Sequence, residues 1–232
     1  MRDGNAKTSA GLACLRGFKP MAGATGSSPV TAQLQVHVAQ MNSNDDLSSN
    51  IDQILELLKP VTATADLQLV CFPENCLYLR LQEGAKIPPL DFGAPFWRKF
   101  RDLAKEKNVV LHFGSVPIQG GQKLRNSSVV VRPEHDAKVT YAKIHLFDID
   151  VDGHKPMRES DAFESGAKAE IIQASDWKMG QSICYDLRFA ELYSQYAKEK
   201  VDVILIPSSF LVPTGQAHWE ILLRARAIES QA

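Results

Sequence analysis

The sequence predicts an α/β fold whose sheet is covered on both faces, and three observations carry that prediction. Helical and strand patterns interleave along most of the chain. Several strand candidates are apolar at every position, as strands buried on both sides are. The length of 232 residues, 44% of them apolar, suits one domain with a sizeable core.

Residues 1–33 stand apart. They are rich in Gly, Ala, Ser and Thr, with Arg2, Lys7, Arg16 and Lys19 against one acid, Asp3. That balance has some likeness to an organelle transit peptide, and no signal-peptide apolar region is present. The segment is expected to be a disordered or non-native extension, and residues 34–232 the folded domain.

Residues 34–40 alternate and predict a strand. Ile51, Ile54, Leu55 and Leu58 follow at helical spacing, with Asn44 or Ser48 as cap and Pro60 as stop. Residues 67–72 form a compact apolar run, hence a buried strand, closed by Pro73-Glu74-Asn75. A proline-rich connection, 87–95, leads into a helix with Phe96, Phe100, Leu103 and Ala104 on its apolar face. Residues 109–113 predict another buried strand. Residues 127–132 and 138–142, joined through 133–136, predict a hairpin. Residues 145–168 are irregular and highly charged, and a long loop in a compact domain is usually functional. A short apolar run reaches Cys184, a buried strand is expected over 201–207, and 217–229 reads as an amphipathic helix.

Composition excludes several functions. A net charge of −1 gives no electrostatic case for nucleic acid or an anionic membrane. The basic cluster at 97–101 reads as the solvated face of a helix. No apolar run is long enough to span a bilayer. Cys14, Cys71, Cys76 and Cys184 show neither CxxC nor Cys/His spacing, which argues against structural zinc and against a disulfide framework. Cys71 reads as core, and a reducing cytoplasm fits best.

Three candidates fall just past strand ends, where α/β folds place chemistry: Glu74, Lys143 and Cys184. Singly, each has a plain structural role, as a turn cap, a surface charge and core filling. Together they divide a reaction. A thiolate of Cys184, favoured by the free N–H groups of a helix start, attacks an electrophilic carbon. Glu74 takes the thiol proton and returns it to a leaving amine. Lys143, beside the N–H of Tyr185, stabilises the oxyanion. Water activated by the same glutamate then cleaves the thioester.

The segments Phe72-Pro-Glu-Asn75, Tyr141-Ala-Lys-Ile-His-Leu146 and Ser182-Ile-Cys-Tyr-Asp-Leu-Arg-Phe189 resemble, in order and spacing, the three motifs of the nitrilase or carbon–nitrogen hydrolase superfamily. The resemblance covers 34–232. It implies a Glu74–Lys143–Cys184 triad and a four-layer α-β-β-α sandwich that dimerises, with no cofactor or metal. It also implies that Glu159 is a second glutamate positioning substrate or lysine; Asp150, Asp152 and Glu164 share its loop. Residues 143–150, 207–210, 214–219 and 224–229 are most similar to the Nit branch, whose members resemble ω-amidases and deaminated-glutathione amidases. Such enzymes act on the terminal amide of small dicarboxylate-like acids. Arg188 or His218 would then hold the substrate's carboxylate. Equally, Arg188 could pair with Asp186 or Glu191, and His218 could cap or pack at a helix start. Ala190 stands where the family has proline. The chain ends at Ala232, where the family continues, so the domain is expected to lack its C-terminal segment. An N-carbamoyl-amine hydrolase, or a truncated inactive binding domain, are the alternative readings.

Overall fold

The computed structural model describes residues 10–20, 31–64, 66–150 and 156–232. Strands β1 (Gly11–Pro20) and β2 (Thr31–Gln40) come first, then helix α1 (Leu47–Leu58), β3 (Leu67–Cys71), α2 (Pro95–Lys107) and β4 (Val109–Gln119). β5 (Leu124–Arg132) and β6 (His135–Ala142) complete a six-stranded sheet in chain order. β2, β3 and β4 are parallel and the outer pairings antiparallel. After the short ribbon β7 (Asp148–Ile149) and β8 (Met157–Arg158), a second sheet forms from β9 (Ile171–Ala174), β10 (Trp177–Gln181) and β11 (Val203–Leu205), in the order β11-β10-β9. Helix α3 (Ala190–Lys198) connects β10 to β11, and α4 (Val212–Ser230) follows.

Alternation along the strands builds four layers. Val70 and Phe72, Leu111 and Phe113, and Val129 and Val131 face α1 and α2 in an outer core. The intervening Leu69, Val110 and Val130 point the other way, onto Ile172, Trp177, Met179 and Leu205 of the second sheet. The opposite face of that sheet, with Ile171 and Ile204, packs on Leu192, Tyr193 and Tyr196 of α3 and on Trp219, Leu222 and Leu223 of α4. The order is helix, sheet, sheet, helix, which is why the central strands are apolar throughout.

Several local features differ from the sequence reading. Residues 11–20, set apart with the extension, form an edge strand. Its ten residues pair in register with β2, Gly11 opposite Gln40 through Pro20 opposite Thr31. Leu12 packs against the outer core, and a Cβ at Gly17 would lie 3.1 Å from the Trp177 ring. Residues 1–9 and 21–30 lie outside the described residues. The cap of α1 is neither Asn44 nor Ser48 but Asp46, whose carboxylate accepts from the N–H groups of Ser48 (2.9 Å) and Ser49 (3.3 Å). Trp97, read as part of a solvated face, is buried in the outer core. The hairpin turn is only two residues, Pro133 and Glu134, with Glu134 left-handed (φ 64°). α4 starts five residues before 217, with Pro213 in its first turn. It is not cleanly amphipathic: Ile221 and Ile228 are exposed while Arg226 is buried, donating to the Leu187 carbonyl (3.1 Å).

Gly114, in β4, fixes where the strand ends meet. A Cβ there would fall 2.2 Å from the Phe72 carbonyl oxygen, 2.3 Å from Pro207 Cβ and 2.7 Å from the Pro73 carbonyl oxygen. These are backbone and ring atoms that cannot swing aside. Gly114→Ala should therefore cost about 3 kcal/mol or more through overpacking, read as a lowered midpoint of urea unfolding.

Candidate active site

Four segments converge just past the strand ends. β3 delivers Glu74 through the turn Pro73-Glu74-Asn75, where Asn75 is left-handed (φ 57°) and its N–H donates to Ser115 Oγ (2.9 Å). β6 delivers Lys143, whose N–H donates to the Asn126 carbonyl (2.9 Å) and whose carbonyl accepts from Gly166 N–H (2.7 Å). Gly166 approaches so closely that an added Cβ would sit 2.1 Å from the Ala142 oxygen. The segment after β10 delivers Cys184, which opens a short 3-10 turn, Cys184–Arg188. Its N–H is tied to the Pro207 carbonyl (2.9 Å) at the end of β11. Cys184 is itself left-handed (φ 50°), a conformation that costs a non-glycine residue about 1–3 kcal/mol and persists only where surrounding bonds hold it. Glu159 comes from a 3-10 turn, Glu159–Asp161, after β8.

The side chains meet in one buried cluster. Lys143, 2% exposed, places Nζ 3.1 Å from Glu74 Oε1 and 2.8 Å from Glu159 Oε2. Asn126 Nδ2 bridges the two glutamates, donating to Glu74 Oε1 (3.3 Å) and Glu159 Oε1 (3.0 Å). The Ser209 N–H holds Glu74 Oε2 (2.8 Å), and the Phe147 N–H holds Glu159 Oε2 (2.7 Å). The Cys184 thiol lies beside Glu74, close enough to feel its charge.

Electrostatics then sets the resting protonation. Loss of solvent, followed by the adjacent Glu74 charge, pushes the Cys184 thiol well above the usual range; Lys143 and the Ser209 N–H oppose this only in part. These effects favour the thiol form of Cys184, where the free N–H groups of a helix start suggest a thiolate. Burial alone would lower the Lys143 pKa. Glu74, Glu159 and Cys184 outweigh that and hold the ammonium above the usual lysine range. Lys143 stays cationic, as an oxyanion partner requires.

These shifts give stability a sign at alkaline pH. Cys76, wholly buried, is pushed to about 12 from a usual 9.0, and Cys184 and Tyr141 are also raised. A raised folded pKa contributes stability that is full below the unfolded pKa and lost as pH rises past it. Each such thiol should cost about 1.4 kcal/mol per pH unit above 9. Urea midpoints are expected to hold between pH 7 and 9 and to fall by pH 10.

The other sequence candidates take distinct places. Among the loop acids, Glu159 is the one in the cluster. Asp150 pairs with Arg158 (2.5 Å), and Glu164 binds the Gly121 N–H (2.7 Å) and Arg125 (2.9 Å) at the surface. Asp152 lies outside the described residues. Tyr185 follows Cys184 in the turn, its ring edge-on to Phe147 and Phe189. Arg188 lies over the Tyr185 ring (5.6 Å) and donates to His218 Nδ1 (3.1 Å), an exposed pair. Asp186, weighed as a partner for Arg188, is committed to Tyr141, His145 and Ile183 instead. His218 sits in the second turn of α4 rather than at its start. Asn126 and the Ser209 N–H are site groups that sequence reasoning missed. An asparagine opening a predicted apolar strand was the available signal for the first.

One hollow, of about 830 Å³, lies away from this cluster. It runs along β5, β6 and β9, where Arg132, Lys138 and Gln173 line it. Among the described residues, no group of three His, Cys, Asp or Glu side chains could hold a metal ion. Nor is any described helix long and apolar enough to cross a membrane.

Comparison with known proteins shows the family to which the chain is similar. The carbon–nitrogen hydrolase family pattern matches residues 35–232. The deaminated glutathione amidase of Yersinia enterocolitica is 32% identical over 201 residues, 84% of this chain and 70% of that protein. The omega-amidase NIT2 of Xenopus tropicalis is 34% identical over 205 residues, 86% of this chain and 72% of its own. The C. elegans NitFhit protein superposes with a TM-score of 0.73 at 28% identity. The overlap covers 85% of this chain and 49% of that one, so the chain spans about half of it. Saccharomyces cerevisiae Nit3, of the nitrilase superfamily, gives 0.63 at 25% identity, over 82% and 69%.

Proposed function

The chain belongs to the carbon–nitrogen hydrolase family, and on that premise we propose that it is an amidase working through a Cys184 thioester. The carrying observation is the cluster itself: the Lys143 ammonium between the buried Glu74 and the part-buried Glu159, with the Cys184 thiol beside Glu74. The sulfur attacks the amide carbon while its proton passes to Glu74. Charge on the carbonyl oxygen is met by Lys143 and the Tyr185 N–H. Glu74 returns the proton to the departing nitrogen, which leaves as ammonia. A water then gives its proton to Glu74 and its oxygen to the acyl carbon, and the thiol is restored. Glu159 and Asn126 hold Lys143 and Glu74 in place throughout.

The substrate in this reading is a small amide with a distal carboxylate, an ω-amide of an α-keto acid or deaminated glutathione. The names of the similar amidases support it, as does the Arg188–His218 pair on the surface beyond the cysteine turn. A cytoplasmic homodimer completes the proposal. The test is ammonia release from a panel of ω-amides, deaminated glutathione and N-carbamoyl amines, with Cys184→Ala as control. Release from an ω-amide or deaminated glutathione that the variant lacks supports the reading. Release from carbamoyl amines alone, or none, overturns the substrate class.

A further inference from the structure

We infer that Asp186 is a positioning residue, a buried carboxylate that clamps the turn carrying Cys184 onto the strand end carrying Lys143. The inference deepens the amidase reading and rests on it only where turnover is the readout.

Asp186 is fully buried. Its Oδ2 accepts from the Tyr141 hydroxyl (2.7 Å) and the Ile183 N–H (2.9 Å). Its Oδ1 accepts from the His145 N–H (2.9 Å) and lies 2.7 Å from His145 Nδ1. Tyr141 and His145 stand two residues to either side of Lys143, and Ile183 precedes Cys184. One carboxylate thus bonds the chain on both sides of the lysine and immediately before the nucleophile. The Asp186 N–H also donates back to the Ile183 carbonyl (3.1 Å), so the left-handed Cys184 is bracketed by a reciprocal pair.

Two further ties run in parallel. Gln181 Nε2 donates to the Thr140 carbonyl (2.9 Å), and Thr140 Oγ1 donates to Gln181 Oε1 (2.7 Å). The His145 ring stacks on Phe189 with centroids 3.6 Å apart and planes within 6°. Residues 140–145 and 181–189 are therefore joined at each end and in the middle. None of these groups reaches the reacting atoms. What they set is the separation of Cys184 from Lys143, and an error of about an ångström there costs on the order of 100-fold in rate.

The test compares the full chain with Asp186→Asn and Tyr141→Phe. The asparagine keeps the shape but turns an N–H₂ toward groups that already donate. The phenylalanine removes a single bond. Asp186→Asn should lower kcat about 100-fold and Tyr141→Phe about 10-fold, with KM changed less than about 3-fold. A second readout needs no substrate: the rate at which iodoacetamide, itself a small amide, alkylates Cys184, resolved from the exposed Cys14 by peptide mass spectrometry. That rate should fall in the same order, at a temperature where circular dichroism shows every variant folded. A merely structural role would lower the melting temperature and leave alkylation unchanged. Rates within twofold of wild type in both folded variants overturn the inference. Should Asp186→Asn fail to fold, Tyr141→Phe decides alone. A wild type that releases no ammonia overturns the amidase reading, while alkylation still decides for or against Asp186.

Discussion

Cys184→Ala is expected to abolish ammonia release and to leave the fold in place. In the proposed mechanism the sulfur bonds to substrate carbon, and the buried thiol of Cys76, two residues after Glu74, is turned to the Ser115 carbonyl instead (3.6 Å). Loss of a nucleophile that acts as one unit with its base typically costs roughly 10⁶-fold in kcat. The cost to stability is small. Cys184 belongs to none of the three cores, and alanine bears the left-handed backbone as well as cysteine does. Unfolding midpoints should stay within about 1 kcal/mol of wild type. Turnover within tenfold of wild type would put the nucleophile elsewhere and remove the thioester from the mechanism.

Lys143→Ala is expected to damage both activity and stability, and the two losses have different origins. The rate falls by at least 10²–10³-fold, roughly the effect of losing one oxyanion donor. The fold suffers because Glu74 and Glu159, held 3.1 and 2.8 Å from the same Nζ, are left facing each other without a cation. Breaking a buried pair in this way costs about 3–5 kcal/mol. The sign of its pH dependence is diagnostic. In the variant one carboxylate holds its proton more tightly than in the unfolded chain, so the lost stability should partly return as pH falls from 7 to 5. Urea midpoints at those two pH values check this. A deficit that is the same at both would mean the carboxylates are relieved by water instead.

The strands were legible because their physics is local. An apolar run with no polar alternation, as over 67–72 or 109–113, implies burial on both faces, and the two sheets and two helix layers supply it. Glu74, Lys143 and Cys184 were legible because each sits just past the end of a predicted strand. Their convergence with Glu159 was readable only through motif resemblance. β1 was not legible. Its glycine-rich composition carries no strand signal, and what holds it is the free edge of β2 and the face of Trp177. The start of α4 was hidden by Pro213 and Gly215, which read as loop but suit a helix's first turn. Asn126, Ser209 and Asp186 escaped for a different reason. Most of their partners lie on segments distant in sequence, so their roles exist only once the sheets are assembled. Arg188 shows the converse limit. Sequence proximity suggested a bond to Asp186, but three nearer donors claim that carboxylate.

The cluster also ties together parts of the chain that are far apart in sequence. Lys143 meets Glu159 across 16 residues, Glu74 across 69, and Glu74 meets Ser209 across 135. Loop-closure entropy makes the longest of these about 2 kcal/mol harder to form than the shortest. The lysine and its second glutamate therefore form a local unit. Glu74, the proposed general base, joins it only when the first third of the chain docks on the region around Lys143, and Ser209 then fixes its other oxygen from the last third. A partly folded chain can hold the cation and still lack Glu74, so on the proposed mechanism turnover reports the docking of distant segments rather than the amount of secondary structure present.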